Sequence, residues 1–165
     1  MKADSYEMFR AVCPATIEVA LSVVEDACDE VLHEWIEDAD RGEWLSVHSW
    51  FFVLFKDGEY RGYACVVNYG DEHFLHFGTI RRAYSVRDVA YSMDWLRDRL
   101  PKFYGVEVLK CCIDSGTMIG KLIGKLGFTA EPDSDDIHSI KLSNGKETEA
   151  KRSRANPEPS RSCDC

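Results

Sequence analysis

Apolar and acidic positions alternate with helical spacing near the start of the chain. From Ile17 to Trp35 the apolar residues recur every three or four positions, and acidic residues fill the opposite face. Pro14 stands just before this stripe, where a first helical turn tolerates proline. The short apolar run Met8–Val12 predicts an edge strand before it. The pattern therefore predicts a strand and a long amphipathic helix, which fades before Gly42.

The next segment predicts three antiparallel strands in a meander. Trp50–Phe55 is apolar at every position, as expected of a central strand that is buried on both faces. The dipeptide Asp57-Gly58 suits the positive φ angles of a tight hairpin turn. The returning strand is predicted at Tyr60–Tyr69, and a second turn leads to the third strand at His73–Phe77.

The second half of the domain predicts a helix, a strand, another helix and a pair of short strands. Ser85 and Asp88 have the spacing of a capping box, and Pro101 predicts the end of the helix that they begin. Val106–Ile113 is almost continuously apolar, which predicts a strand covered on both faces. Gly127 predicts the end of the next helix. The closing strands are expected at 128–130 and 137–142.

The character of the chain changes after Leu142. The stretch 143–165 is rich in Lys, Arg, Ser, Pro and Glu and has almost no apolar residue, so it predicts a disordered tail. Residues 1–142 are predicted to form one α/β domain. Its expected core is a mixed, mostly antiparallel central sheet of about seven strands flanked by about four helices.

Composition and charge limit the classes of molecule that the chain is expected to bind. The formal net charge of −9 argues against non-specific nucleic-acid binding, and no apolar run approaches the ~20 residues that a membrane span requires. An odd number of cysteines, seven, without a secretory signal favours a reducing, cytoplasmic location. Cys163 and Cys165 lack a second ligand pair, so no metal site is predicted. The acid-rich stretch 25–43 is either a solvated helix face or an acidic wall that attracts a cationic amine.

The order of elements resembles that of the GNAT (Gcn5-related N-acetyltransferase) family over residues 8–142. The most specific local match is the segment 120–128, Gly-Lys-Leu-Ile-Gly-Lys-Leu-Gly-Phe, which resembles the family's helix-to-strand junction. The resemblance implies that strands 74–80 and 106–113 splay apart and that acyl-CoA inserts between them. It implies acetyl-CoA as cosubstrate and an amine acceptor, either a small molecule or a protein.

The resemblance also implies a phosphate-binding loop at the start of the helix between those strands. Its cofactor-binding residues would be Ile80, Arg81, Arg82, Ser85, Val86 and Arg87. The loop departs from the family pattern because no glycine lies between Gly78 and Gly105, and glycines let backbone approach phosphate closely. The arginines either contact phosphate directly, form a solvated basic patch, or bind an acidic protein surface.

Several residues are candidates for the proton transfers of acetylation. Relatives use a carboxylate, or water held by one, as base on the meander strands, which points to Glu72 and His76, with His73 and Asp114 as further candidates. His73 and His76 lie three apart on a strand, so they face opposite ways.

The acid that protonates the departing thiolate is harder to place. The tyrosine and asparagine that many relatives carry on the last helix fall here on Ile123 and Gly116, which cannot perform this chemistry. Tyr84 is the predicted replacement acid, with Tyr91 and Tyr104 as alternatives that depend on the fold. Adjacent Cys111 and Cys112 also face opposite ways, and the sequence shows no base beside either of them.

Two functions remain open from the sequence, so it does not decide whether the chain is an enzyme. The first is an N-acetyltransferase with an atypical phosphate loop. The second is a GNAT-like assembly or interaction protein without catalysis, which binds a protein partner. The glycine-free loop gives the chain a looser resemblance to GNAT-like proteins of tailed phages, and a phage origin would imply a virion-associated location. A CoA- or metabolite-sensing domain without turnover fits the same features.

Overall fold

The computed structural model describes residues 4–26, 43, 49–79, 85–113, 116 and 118–142. Its elements in chain order are β1 (Tyr6–Arg10), α1 (Pro14–Asp26), β2 (Ser49–Lys56), β3 (Glu59–Tyr69), β4 (Glu72–Thr79), α2 (Val86–Tyr104), β5 (Val108–Cys112), α3 (Met118–Lys125), β6 (Thr129–Ala130) and β7 (Ile137–Lys141).

One seven-stranded sheet runs through the described residues in the order β1-β2-β3-β4-β5-β7-β6. All neighbouring strands pair antiparallel except β4 and β5, which are parallel and joined through α2. This confirms the predicted mixed, mostly antiparallel sheet and the position of the first strand at its edge. Three helices lie in the described residues, against the four or so expected. Residues 27–48, apart from Glu43, lie outside the described residues, so the predicted end of the first helix is not tested. The predicted tail 143–165 also lies outside them.

The hairpin between β2 and β3 has the predicted turn chemistry. Asp57 and Gly58 have φ angles of 54° and 83°, so both central residues adopt the left-handed conformation of a two-residue turn. The strands on either side are paired from Lys56↔Glu59 to Ser49↔Val67, with one register shift at Leu54/Phe55.

The two faces of the sheet bury separate cores. On the α1 face, Ala20, Val23 and Val24 of α1 pack over a set of buried strand residues: Phe51, Val53, Tyr63, Cys65 and Val67. On the α2 face, α2 and α3 cover a second set: Phe52, Leu54, Ala64, Val66, Leu75, Leu109 and Cys111. Since β2 contributes to both cores, Phe51, Phe52, Val53 and Leu54 are all fully buried, while Trp50 and Phe55 at the ends of the apolar run are partly buried.

Two predictions about the second half of the domain are wrong in detail. The second helix does not end before Pro101 but continues to Tyr104, because Gly105 adopts φ 67° and its N–H donates to the Leu100 carbonyl. β5 is not covered on both faces: Leu109 and Cys111 are buried, whereas Val108 is 41% exposed and Cys112 is exposed. No described helix is long and apolar enough to cross a membrane.

Candidate active site

The junction between β4 and β5 is nearly unpaired. β3 and β4 pair at eight consecutive positions, from Gly62↔Thr79 to Tyr69↔Glu72. β4 and β5 pair at one position, Phe74↔Lys110. Beyond Phe74, β4 continues along β3, but none of its described residues pairs with β5. We call this unpaired part of the junction, where the resemblance implied that the strands separate, the opening.

His76 lies on β4 beside this opening. Its register partner is Cys65, so its side chain is on the α1 face with the half-buried imidazole 6.2 Å from the ring of Tyr63, measured between centroids. His73 is on the other face, where its ring stacks 5.4 Å from that of Trp50 and its Nδ1 lies 2.7 Å from the Asn68 side-chain oxygen. The prediction that the two histidines face opposite ways is confirmed, and of the two only His76 lies on the α1 face.

A large aromatic side chain holds the free half of β4 in place. The phenol end of fully buried Tyr63 lies over Gly78, where any Cβ would meet the ring carbon Cζ at 1.8 Å. Tyr63 also stacks on Phe51 with centroids 4.8 Å apart. A side chain at position 78 would force this buried ring to move. The contact ties β4 to β3 along the stretch where β5 gives no support.

Glu72 lies at the paired end of the junction. Its Oε1 accepts from the Lys110 ammonium at 2.7 Å, and Glu131 accepts from the same ammonium at 3.1 Å. These hydrogen bonds, that to Glu72 first, raise the pKa of Lys110 above its ordinary value. The three side chains link β4, β5 and the segment after β6 where the two central strands still meet.

The N-terminus of α2 is capped by side chains of its own first turn. Ser85 accepts from the Asp88 N–H at 3.3 Å, and Asp88 Oδ2 accepts from the Ser85 N–H at 2.7 Å, which confirms the predicted capping box. The second carboxylate oxygen accepts from the Tyr6 hydroxyl at 2.8 Å. Asp88 is 1% exposed. A buried carboxylate thus lies in the first helical turn and joins it to the edge strand β1.

Two of the predicted cofactor-binding residues are accessible in the same turn. Val86 and Arg87 are exposed at the first two helical positions, where backbone N–H groups have no partner within a helix. Four other predicted site residues lie outside the described residues: Ile80, Arg81, Arg82 and Tyr84.

The alternative tyrosines of α2 are engaged away from the opening. Tyr91 stacks on Tyr6 with centroids 4.6 Å apart and donates to the Tyr6 carbonyl at 3.3 Å, and burial raises the pKa of its hydroxyl. Tyr104 packs on Trp50 at the far end of the helix, 4.5 Å between centroids, with the Arg10 guanidinium over its ring. Neither is placed to protonate a thiolate between β4 and β5.

The two adjacent cysteines of β5 have the predicted opposite environments. Cys111 is 1% exposed in the core on the α2 face, and burial raises the pKa of its thiol to about 12. Cys112 is an exposed free thiol.

Sequence reasoning gave no role to Lys110 or to the link between Asp88 and Tyr6. Lys110 stands in the middle of an apolar strand, which was the available sign of a special position. In the described part of the chain, no three His, Cys, Asp or Glu side chains are grouped to hold a metal ion.

Several solved structures that are similar to this fold are acetyltransferases. The N-acetyltransferase PseH from Campylobacter jejuni in complex with acetyl coenzyme A aligns with a TM-score of 0.57 and 15% identity, over 84% of this chain and 100% of that one. PaiA N-acetyltransferase from Thermoplasma acidophilum in complex with coenzyme A aligns with a TM-score of 0.58 and 17% identity, over 83% of this chain and 99% of that one. The GNAT domain of PAT from S. lividans aligns with a TM-score of 0.59 and 13% identity, over 85% of this chain and 96% of that one. The chain has the GNAT fold.

No protein-family model matches the chain, and no curated protein sequence matches it. The GNAT likeness therefore rests on the path of the backbone, and the residues of the site have to be argued from their own positions. Those positions offer an accessible imidazole and thiol beside the opening, and exposed N–H groups at the start of the helix that follows β4.

Proposed function

We propose that this chain transfers an acetyl group from acetyl-CoA to an amine, with the donor in the opening between β4 and β5. The observation that carries the proposal is the single paired position, Phe74↔Lys110, in a GNAT fold. Strands that diverge expose backbone groups of β4 to which the amide-rich arm of CoA can hydrogen-bond. Two of the similar structures were solved with acetyl coenzyme A or coenzyme A, which supports this donor.

The transfer needs a base, because an amine attacks the thioester carbonyl only after its ammonium proton has been removed. We assign this role to His76, which is half-buried on the α1 face of β4 next to the opening. Glu72 is the other predicted base, but its carboxylate accepts from Lys110 at the paired end of the junction. For this reason we place the proton transfer at the imidazole. Tyr84 stays the predicted acid for the CoA thiolate.

Phosphate binding in this proposal depends on side-chain charge. The Ser85 N–H is taken by Asp88, which leaves the N–H groups of Val86 and Arg87 as backbone donors at the helix start. We propose that the guanidinium groups of Arg81, Arg82 and Arg87 provide the contacts that glycine-rich loops make through backbone. The backbone at Ile80 would receive the part of the donor next to the phosphates.

Calorimetric titration of the full chain with acetyl-CoA tests the proposal. We expect micromolar binding that the double variant Arg81→Ala/Arg82→Ala weakens at least about tenfold, since it loses two charge-assisted contacts. Arg99→Ala is the matched control, because Arg99 lies on α2 with its guanidinium over Trp95, 4.7 Å from the ring centroid, and should leave the affinity unchanged. Absence of binding at millimolar acetyl-CoA would reject the proposal.

One observation favours a second function, that of a non-catalytic assembly or interaction protein with a protein partner. The buried carboxylate of Asp88 already satisfies a donor at the helix terminus where phosphate would rest, and its charge opposes a diphosphate. In that case the fold serves as a scaffold. Acetyl-CoA turnover with any member of a panel of small amines and N-terminal peptides would exclude this function.

A further inference from the structure

The parallel register of β4 and β5 brings together two side chains that sequence analysis treated separately. Phe74 and Lys110 are partners, so they lie on the same face of the sheet. Side chains two residues further along each strand return to that face after about 6.6 Å of rise. These residues are His76 on β4 and Cys112 on β5. They stand on opposite sides of the opening, one step beyond its closed end.

Both side chains are accessible, and the residue that directly precedes each of them is buried. Cys112 is exposed and His76 is half-buried, whereas Cys111 and Leu75, which alternate with them, lie in the core on the α2 face. A thiol and an imidazole are thus held where two strands diverge. A cysteine nucleophile needs a base of this type nearby, and this is the element that the sequence did not show.

We propose that Cys112 accepts the acyl group as a covalent thioester before the amine receives it, with His76 carrying the proton. This inference rests on the proposed acetyl-CoA function. In the first step His76 takes the Cys112 thiol proton, the sulfur attacks the acetyl carbonyl, and the bond from carbonyl carbon to CoA sulfur breaks. His76 then gives the same proton to the CoA thiolate.

The second step is the same exchange with an amine. The amine first loses its ammonium proton through His76 to solvent. Its nitrogen then attacks the Cys112 thioester, the bond to the Cys112 sulfur breaks, and His76 moves the second proton from nitrogen to the departing thiolate. In each step His76 carries one proton from the attacking group to the departing thiolate and is neutral again at the end. In the relay His76 replaces Tyr84 as the acid for the CoA thiolate, in a chain that has Ile123 where the resemblance places a tyrosine on the last helix.

Cys13 provides a stringent internal control for chemical reactivity. It stands before α1, where the Thr16 hydroxyl, then backbone N–H groups, stabilise the thiolate and lower the pKa of the Cys13 thiol. Non-enzymatic exchange with acetyl-CoA would therefore label Cys13 as well. Cys111, with a thiol pKa raised to about 12, would stay unlabelled in either case.

The experiment incubates the full chain with acetyl-CoA in the absence of amine and follows the intact mass and the peptide map. We expect one acetyl group, at Cys112, that neutral hydroxylamine removes and that an added amine removes with formation of its amide. Cys112→Ser should abolish this labelling and Cys13→Ser should not. His76→Gln should slow it about 100-fold, the usual contribution of a proton-transferring group, while alkylation of Cys112 by iodoacetamide at pH 9 proceeds as in the unsubstituted chain.

Two results would overturn the relay alone. One is acetyl-CoA binding by calorimetry without acylation of Cys112, and the other is amine acetylation by Cys112→Ser at the unsubstituted rate. Equal labelling of Cys13 and Cys112 would also overturn it, since it would show chemical exchange only. Absence of acetyl-CoA binding would instead reject the proposed function together with the relay, so the calorimetric result distinguishes the two failures.

Discussion

The two sides of β4 meet their neighbours in different ways. On one side β3 pairs with it at eight positions, and the partners include the fully buried Ala64 and Val66. On the other side β5 pairs with it at Phe74 alone, and the nearby residues Lys110 and Cys112 are polar or exposed.

One edge of β4 therefore contributes to stability, and the other edge is available for chemistry. Pairing of β3 with β4 costs little loop-closure entropy because a short turn joins the two strands. β5 follows β4 in sequence only after α2, so it can be left unpaired without disrupting the core. Backbone groups and polar side chains therefore become available at one edge of a strand whose other edge is rigid. The predictions below alter each side in turn.

Gly78→Ala should have the largest effect, because it breaks the paired side. The new methyl group would overlap the buried ring of Tyr63, and overpacking of this kind costs about 2–3 kcal/mol of unfolding free energy. Urea denaturation measures it. Gly124→Ala is the matched control: it lies in α3 with nothing within 4 Å of a built Cβ, so it should stabilise by about 0.5–1 kcal/mol. Equal effects of the two variants would contradict the packing assigned to Tyr63.

Asp88→Ala should have the next largest effect, because it releases the helix that leads from β4 to β5. It leaves the Ser85 N–H and the Tyr6 hydroxyl without their acceptor, a loss of about 2 kcal/mol. A double-mutant cycle with Tyr6→Phe should show coupling between the two positions. Asp94→Ala, on the exposed side of the same helix, should change the unfolding free energy little. Additive effects of Asp88→Ala and Tyr6→Phe would rule out the link to β1.

Raising the pH should destabilise the protein through Cys111, on the buried face of β5. The folded-state pKa of about 12 exceeds the ordinary value of 9.0, so above pH 9 the unfolded chain loses this proton first and stability falls. At pH 10 the loss from this group is about 1 kcal/mol relative to pH 7. Cys111→Val should remove this loss, so that the unfolding free energy falls less between pH 7 and pH 10 by about 1 kcal/mol.

Lys110→Gln should have the smallest effect on global stability and the most local one. It removes the ion pairs to Glu72 and Glu131 at the closed end of the opening, where partial exposure screens the charges. We expect faster amide hydrogen exchange in β5, with β3 unaffected. Lys102→Gln, which loses the exposed pair with Asp98, is the control and should leave exchange in β5 unchanged. Faster exchange in both variants would indicate a general effect of charge.

Much of the fold could be predicted from local patterns. The apolar run of β2, the Asp57-Gly58 turn and the Ser85–Asp88 capping box are each encoded within a few residues, and the structure has all three. The prediction that the helix ends at Pro101 was wrong because it considered only the low helix propensity of proline. The energy of capping at Gly105 and of burying Leu100 outweighs the lost hydrogen bond.

The sequence by itself determined the order of strands and helices, the turns, and which residues of each strand share a face, since these follow from periodicities of two and 3.6 residues. Only the tertiary structure decided that, among the described residues, β4 and β5 pair at Phe74 and Lys110 alone. It also decided that Tyr6 reaches Asp88, 82 residues away. The physical reason is that the register of a parallel pair is fixed by how the crossover helix packs on the sheet, and no short segment of sequence contains that information.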